Sequence, residues 1–338
     1  MTDKIRIGLV GAGGIAGAHV AGYRRNPEAV VFAAIADPVR ENAERRRGDD
    51  DVAIYDDYRT MIAEAELDAV DICLPHHLHA DAIIAAAEAG LHVLCEKPLC
   101  LTLAEAQAIS EVAARTGVTI MCAHNQLYFP AVAETKRLLT EGTFGTVYEV
   151  RTTDSFYNDF TPESMGWRAH ASTAGGGELI DTGYHPVYLL QHLAGAVPTE
   201  VTAMLSRHRL GFMEGEDSAQ VLVRYENGVV GHVTTSWAYP AAPGTEKFSL
   251  VGSEGSLSSD GVSLTYQLRG QDPVTMKFDP VHDIAAAVAD FARCLLTGDR
   301  PMHTHVEGID VLGVILAAYE SDRTRAFAPV TRVAVPAR

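Results

Sequence analysis

The chain has 338 residues, 47% hydrophobic and 21% charged, with a formal net charge of -17 at neutral pH. That length and balance supply material for two cores, so two domains are expected, divided as residues 1–123 and 124–338. The negative balance argues against nucleic acid or an anionic membrane as partner, because both would repel most of the surface; small molecules remain. Five cysteines (Cys73, Cys95, Cys100, Cys122 and Cys294) form no CxxC pair. They read as reduced, buried thiols of a cytoplasmic protein rather than a disulfide framework or a zinc site. Met1-Thr2-Asp3-Lys4 leads directly into a strand-like run, so no signal peptide is expected, and no segment stays apolar for the roughly 20 residues of a membrane span.

In chain order, Ile5 to Val10, Val30 to Ala36, Ala69 to Leu74, Leu91 to Cys95 and Val118 to Cys122 are continuous apolar runs of strand length. Such runs suit strands buried on both faces of a parallel sheet. Between them Ile15 to Arg25, Asp57 to Ala65, His79 to Ala89 and Leu103 to Thr116 carry helical spacing, with Gly90 and Gly117 as stop signals. The series predicts an α/β fold whose N-terminal half is a doubly wound parallel Rossmann sheet. Beyond Phe129 the texture changes. A helix (Ala131 to Thr140), a strand (Thr146 to Thr153) and an irregular stretch to Thr173 precede a helix expected to carry Asp181 and His185. Val201 to Phe278 alternates with period two, and Asn227-Gly228 predicts a two-residue hairpin turn with both residues at positive φ. Asp283 to Leu296 and Val306 to Asp322 read as helices backing a large, mostly antiparallel sheet. His303 and His305 are expected on an exposed turn after Pro301.

Gly11-Ala12-Gly13-Gly14-Ile15-Ala16 follows the first strand and opens the first helix. Gly11 permits the turn, Gly13 and Gly14 let backbone approach a pyrophosphate, and the helix start at Ile15 offers free N–H groups to phosphate. Asp37 ends the second strand, where a carboxylate bonds ribose hydroxyls and repels a 2′-phosphate; NAD is favoured over NADP, with Arg40 as the residue that could reverse this. Capping of the next helix is a second role open to Asp37. The third expected strand ends Cys73-Leu74-Pro75-His76-His77-Leu78-His79, at the carboxyl edge where ligands gather, so Leu74, Pro75 and His79 are candidate cofactor contacts. No nearby residue completes a ligand set around these histidines, and no metal is expected.

Two further constellations carry chemistry. Lys97 in Cys95-Glu96-Lys97-Pro98 ends the fourth expected strand in an extended conformation favoured by Pro98. There Glu96 and Lys97 would border a cofactor, and the ammonium could hold a hydroxyl and stabilise developing alkoxide charge. In Gly175-Gly176-Gly177-Glu178-Leu179-Ile180-Asp181-Thr182-Gly183-Tyr184-His185, a helix would put Asp181 and His185 on one face. His185 titrates nearest neutrality and suits a general base; Asp181 could orient the substrate, orient the imidazole or share the proton with Lys97.

In motif order and spacing over nearly its whole length, the chain resembles the Gfo/Idh/MocA family, which includes glucose-fructose oxidoreductase and inositol dehydrogenase. The resemblance implies a Rossmann domain, an α/β domain with an open, mostly antiparallel sheet, NAD or NADP, sugar-like or polyol substrates, and homodimers or homotetramers formed through that sheet. It also implies that Lys97 lies near nicotinamide and the reacting hydroxyl, and that Asn125 and Trp167-Arg168 border the substrate with Lys97, Asp181 and His185. Tyr157, His170 and Tyr184 are weighed for the same pocket and read as structural or rim residues. The expected activity is therefore hydride transfer between nicotinamide and a secondary alcohol. An oxidation-elimination enzyme that keeps NAD bound and a non-catalytic cofactor-binding regulator are the rivals; joint retention of Lys97, Asp181 and His185 argues against the regulator.

Overall fold

The computed structural model describes residues 4–240 and 245–334. Met1 to Asp3, on which the reading of the chain's start rests, and residues 241–244 and 335–338 lie outside them. Two compact units form, residues 4–125 with 282–309 and 333–334, and residues 126–281 with 310–332. Where the sequence suggests one division between residues 123 and 124, the first unit also takes in a stretch returning from far along the chain.

The first unit begins β1 (Ile5–Val10), α1 (Ala16–Arg25), β2 (Val30–Ala36), α2 (Arg40–Arg47), β3 (Ala53–Tyr55), α3 (Tyr58–Glu64) and β4 (Ala69–Ile72). It continues with α4 (His79–Glu88), β5 (His92–Cys95), α5 (Leu103–Thr116) and β6 (Ile120–Cys122). All six strands are parallel, in the order β3-β2-β1-β4-β5-β6. The order reverses between β1 and β4, and at such a switch point the diverging carboxyl ends leave a ligand crevice. The sequence reading omitted α2 and β3. Helix α2, Arg-Glu-Asn-Ala-Glu-Arg-Arg-Arg, buries only Ala43 and so has no apolar stripe to detect, and β3 is a three-residue edge strand.

The returning segment supplies α10 (Asp283–Thr297), whose Ala285 carbonyl accepts from Asn26 Nδ2 at 3.0 Å while Val288 packs over Gly22. His303 and His305 correct the expectation of an exposed turn, for both are buried. His303 stacks on His124 at 4.8 Å, and burial pushes the His303 imidazole down to about 4.

The second unit contains α6 (Pro130–Thr140), β7 (Val147–Ser155), α7 (Pro162–Met165), α8 (Ala171–Ala174), α9 (Tyr184–Ala194), β8 (Pro198–Ser206), β9 (Ser218–Tyr225) and β10 (Val230–Ser236). After these come β11 (Phe248–Gly252), β12 (Gly255–Ser259), β13 (Ser263–Leu268), β14 (Val274–Lys277), α11 (His305–Thr324, in this unit from Asp310 onward) and β15 (Ala328–Pro329). They build a nine-stranded sheet, β14-β13-β12-β11-β7-β10-β9-β8-β15, antiparallel except where β7 meets β10. Helix α9 lies on one face: the Pro186 carbonyl accepts from Thr152 at 2.8 Å, and a Cβ on Gly231 would meet Leu190 at 2.6 Å. Among the described residues no helix is long and apolar enough to cross a membrane.

Two local expectations are corrected. Between β9 and β10 only Gly228 has positive φ, at 86°, while Asn227 does not; Gly228 N–H donates to Tyr225 and Tyr225 N–H to Val229. This is a turn closed by a left-handed glycine rather than the two-residue form. Asp181 lies in turns before α9, not on it. Pro186 lacks an N–H and suits a first helical turn, so the helix starts at Tyr184.

The connection from β8 to β9 is pinned by Asp217, which accepts from the N–H groups of His208, Arg209 and Leu210 at 2.9, 2.7 and 2.8 Å. Burial alone would raise this carboxyl; those N–H groups and the Ser218 hydroxyl hold it below the usual carboxylate range. A depressed folded value means the stabilisation is complete above about pH 4 and disappears as pH falls through the folded value. Asp217→Asn should therefore cost about 2 kcal/mol of unfolding free energy at neutral pH, with the gap from the parent narrowing in acid, as read by thermal melts across pH.

Candidate active site

In the first unit, the turn from β1 to α1 separates two kinds of glycine. Gly11 has φ 89°, and a Cβ there would lie 2.6 Å from the Cys73 carbonyl, so the fold itself requires glycine. At Gly13 and Gly14 an added Cβ would meet nothing within 4 Å. The protein does not need glycine at these two positions, but a phosphate approaching the backbone does. Ile15 caps α1 without a side-chain bond, so no side chain occupies the N-terminal end of this helix.

Asp37 holds this loop: Oδ2 accepts from Ala12 N–H at 2.7 Å and Oδ1 from Val39 N–H at 2.8 Å. Its bond to Val39 closes a local turn, while Val39 itself caps α2, so Asp37 is not the helix cap. Each carboxylate oxygen keeps a lone pair for a ribose hydroxyl. Arg40, suspected from sequence, pairs with Glu44 on the exposed face of α2 at 3.2 Å. The arginine that meets the loop is Arg46, which donates to the carbonyls of Ala12 (3.2 Å), Gly13 (3.1 Å) and Gly14 (3.2 Å). Together these residues fit a dinucleotide pyrophosphate and ribose.

The carboxyl ends of β4 and β5 are held by two buried imidazoles. His79, read from sequence as a cofactor contact, has no exposed surface; Nε2 meets the Leu74 carbonyl and Nδ1 the Pro98 carbonyl, both at 2.7 Å. It therefore fixes the turn at Leu74-Pro75 against the turn at Lys97-Pro98, with no ring nitrogen left for a ligand. His19, on α1, meets Asp71 Oδ2 at 2.7 Å through Nδ1 and Glu96 Oε1 at 3.0 Å through Nε2. Glu96 Oε2 accepts the Lys97 backbone N–H at 3.2 Å. Lys97 is only 9% exposed. Asn125 donates to Asp283 at 2.5 Å within the same unit.

In the second unit, the triple glycine seats the turn that carries Asp181. A Cβ on Gly177 would lie 2.0 Å from the Glu216 carbonyl, and one on Gly176 would lie 2.0 Å from the Tyr319 hydroxyl. That close approach lets Glu178 N–H reach the Glu216 carbonyl (2.8 Å) and Leu179 N–H reach its carboxylate (2.9 Å). Glu178 accepts from the Thr235 hydroxyl, and burial pushes its carboxyl well above the usual carboxylate range.

Asp181 is buried, and its Oδ2 accepts from Arg168 Nε at 2.6 Å. Arg168 in turn lies over the Trp167 ring at 4.3 Å. Trp167, Arg168 and Asp181 are thus one cluster. His185 is tied through Nδ1 to the Tyr188 hydroxyl (2.8 Å), which also accepts the Gln126 N–H (3.0 Å). Gln126 Nε2 and Lys247 Nζ both reach Asp154 Oδ2, at 3.0 and 3.2 Å. Burial would raise Asp154; Lys247, the nearby His185 and Gln126 hold its carboxyl low. Tyr184 is fully buried against Tyr188, whereas Tyr157 is exposed beneath Arg209 and His170 pairs with Glu214 at the surface.

Sequence reasoning missed Arg46, His19, Asp71, Gln126, Asp154, Tyr188 and Lys247. One signal was available: Asp71 interrupts the apolar run Ala69-Val70-Asp71-Ile72, and a buried charge demands a partner. Tyr188 is three residues from His185, and the remaining ones are distant in sequence from the groups they hold.

Residues 5–124 match the family described as an oxidoreductase family with an NAD-binding Rossmann fold, and residues 132–258 match the GFO/IDH/MocA C-terminal domain. The chain is 31% identical over 291 residues to levoglucosan dehydrogenase of Pseudarthrobacter phenanthrenivorans, covering 75% of this chain and 73% of that protein. It is 31% identical over 281 residues to D-xylose 1-dehydrogenase (NADP(+)) 2 of Haloferax volcanii, covering 80% and 83%. A solved structure of levoglucosan dehydrogenase in complex with NADH and levoglucosan superposes with a TM-score of 0.88 at 26% identity, covering 97% of this chain and 100% of that one. With both halves matched in order and two such relatives, the chain belongs to the Gfo/Idh/MocA oxidoreductase family.

Proposed function

We propose that this protein is an NAD-dependent dehydrogenase of a sugar, sugar derivative or inositol-like polyol, acting at a secondary alcohol or, in reverse, at the ketone. The observation that carries this reading is the pair Gly13 and Gly14, which neither packing nor a positive φ requires, at the mouth of α1 beside Asp37. The relatives that act on levoglucosan and D-xylose support the substrate class. Asp37, which presents a carboxylate where a 2′-phosphate would need a cation, supports NAD over NADP.

The nicotinamide supplies the hydride acceptor when bound. Lys97 holds the substrate hydroxyl and stabilises the negative charge that grows on its oxygen. His185 takes the hydroxyl proton, its ring fixed by Tyr188, and Asp181, clamped by Arg168, orients the substrate. The first unit thus serves the cofactor and contributes Lys97, and the second contributes Asp181 and His185 to the substrate. Homo-oligomerisation through the nine-stranded sheet is supported by Met204, Leu222, Val230 and Val251, exposed together on its open face. A cytoplasmic setting is supported by the five buried free thiols.

Purified protein incubated with NAD and a panel of sugars and polyols should accumulate reduced cofactor. Product without net reduction would instead favour the oxidation-elimination cycle, and binding without turnover the regulator. Lys97→Ala should lower kcat at least ~100-fold with NAD affinity within a few-fold; a fully active variant would overturn its role. Gly13→Ala should leave the melting temperature unchanged while weakening NAD at least ~10-fold, since its Cβ intrudes only on a ligand. Asp37→Ala should weaken NAD and narrow its preference over NADP, read by titrating both cofactors.

A further inference from the structure

Two buried carboxylates and a phenol converge on the imidazole of His19. The Tyr23 hydroxyl donates to Asp71 Oδ2 at 2.6 Å, and the two nitrogens of His19 face carboxylate oxygens of Asp71 and Glu96 at 2.7 and 3.0 Å. A neutral imidazole has one N–H, so one ring lone pair would oppose a carboxylate oxygen at contact distance. Only the imidazolium donates at both ends. Glu96, held there, accepts the Lys97 N–H with its second oxygen. His19, Tyr23, Asp71 and Cys73 are all buried, as is Glu96.

We propose that His19, as an imidazolium bridging Asp71 and Glu96, positions Lys97 for reaction through the Glu96 carboxylate. The assignment rests on the dehydrogenase reading above, in which Lys97 acts on the substrate. The two carboxylates that face the ring each have an N–H to accept when it is the imidazolium, and the second oxygen of Glu96 accepts from the Lys97 backbone. The groups facing His19 are Asp71, Tyr23, Cys73 and Glu96. Burial opposes its protonation, yet Asp71 and its neighbours hold the imidazole well above its ordinary value. His19, Asp71 and Cys73 also stand close enough to share a metal ion. Against that, both His19 nitrogens already face carboxylate oxygens, and Asp71 Oδ2 also accepts from Tyr23.

The test combines readouts that do not depend on one another. His19→Gln can donate toward only one carboxylate. It should lower kcat about 10- to 100-fold while leaving the NAD dissociation constant within about 3-fold, the signature of misplacement rather than lost binding. In a double-mutant cycle with Glu96→Gln, the double variant should be no slower than the worse single variant; additive losses would overturn a route through Glu96. Independently of turnover, a raised folded value means His19 stabilises fully below about pH 6.5, and the contribution is lost as pH rises through the folded value. The melting-temperature gap between parent and His19→Gln should therefore be widest near about pH 6 and shrink toward about pH 10; a gap that grows with pH would refute the imidazolium. Imidazole nitrogen NMR on the intact protein should show both His19 nitrogens protonated at neutral pH, and a stoichiometric metal on elemental analysis would overturn the assignment. If the protein proves inactive on every substrate, the pH-dependent melts and the NMR still decide the imidazolium, whereas inactivity itself bears on the dehydrogenase reading.

Discussion

Burial of charge at the carboxyl edge of the six-stranded sheet is the constraint around which the first unit is organised. Strands β4 and β5 end in a region that excludes water, and each brings an acid with it: Asp71 within β4 and Glu96 at the end of β5. An unpaired carboxylate in that setting would be prohibitive. The solution is an imidazole from α1 inserted between them, with a phenol from the same helix on the far side. A second imidazole, His79, ties the backbone of the two strand ends through carbonyl oxygens. The place of Lys97 is thereby set from two directions before any ligand enters.

The second unit reaches comparable rigidity by a different means. Its key turn is positioned by contact of backbone on backbone, Gly177 against Glu216, which no residue with a side chain could make. The resulting polar contacts are then shared among groups with fixed partners: Glu178 accepting from Thr235, Glu216 from Leu179 and Tyr319, and Asp217 from three N–H donors. Asp181 and His185 sit at the end of this chain of supports, each bound to a partner that orients it.

The parallel sheet and its glycine turn were legible because they depend on local, periodic features: short apolar runs, a helix after each, and glycine where φ turns positive. Helix α2 was not, since its stability comes from charged pairs and a single buried alanine rather than an apolar face. The residues Lys97, Asp181 and His185 could be named from their motifs, but the geometry of the last two could not be read from their spacing. A four-residue interval suggests a helical face, whereas Pro186 and the packing of Gly183 against Leu179 end the turn and begin the helix between them. The supports (His19 for Glu96, Arg168 for Asp181, Asp154 and Lys247 near His185) lie 13 to 77 residues from the groups they hold or are read only through space. No periodicity links such pairs.

Arg46 carries a consequence for how the dinucleotide is received. By engaging the carbonyls of Ala12, Gly13 and Gly14, its guanidinium fixes the path of a segment that would otherwise be among the most conformationally free in the chain. The loss of backbone entropy is thus borne during folding and not at the encounter with the cofactor. Association then becomes closer to the docking of two rigid bodies, with a free-energy surplus available for holding the pyrophosphate rather than for ordering the loop.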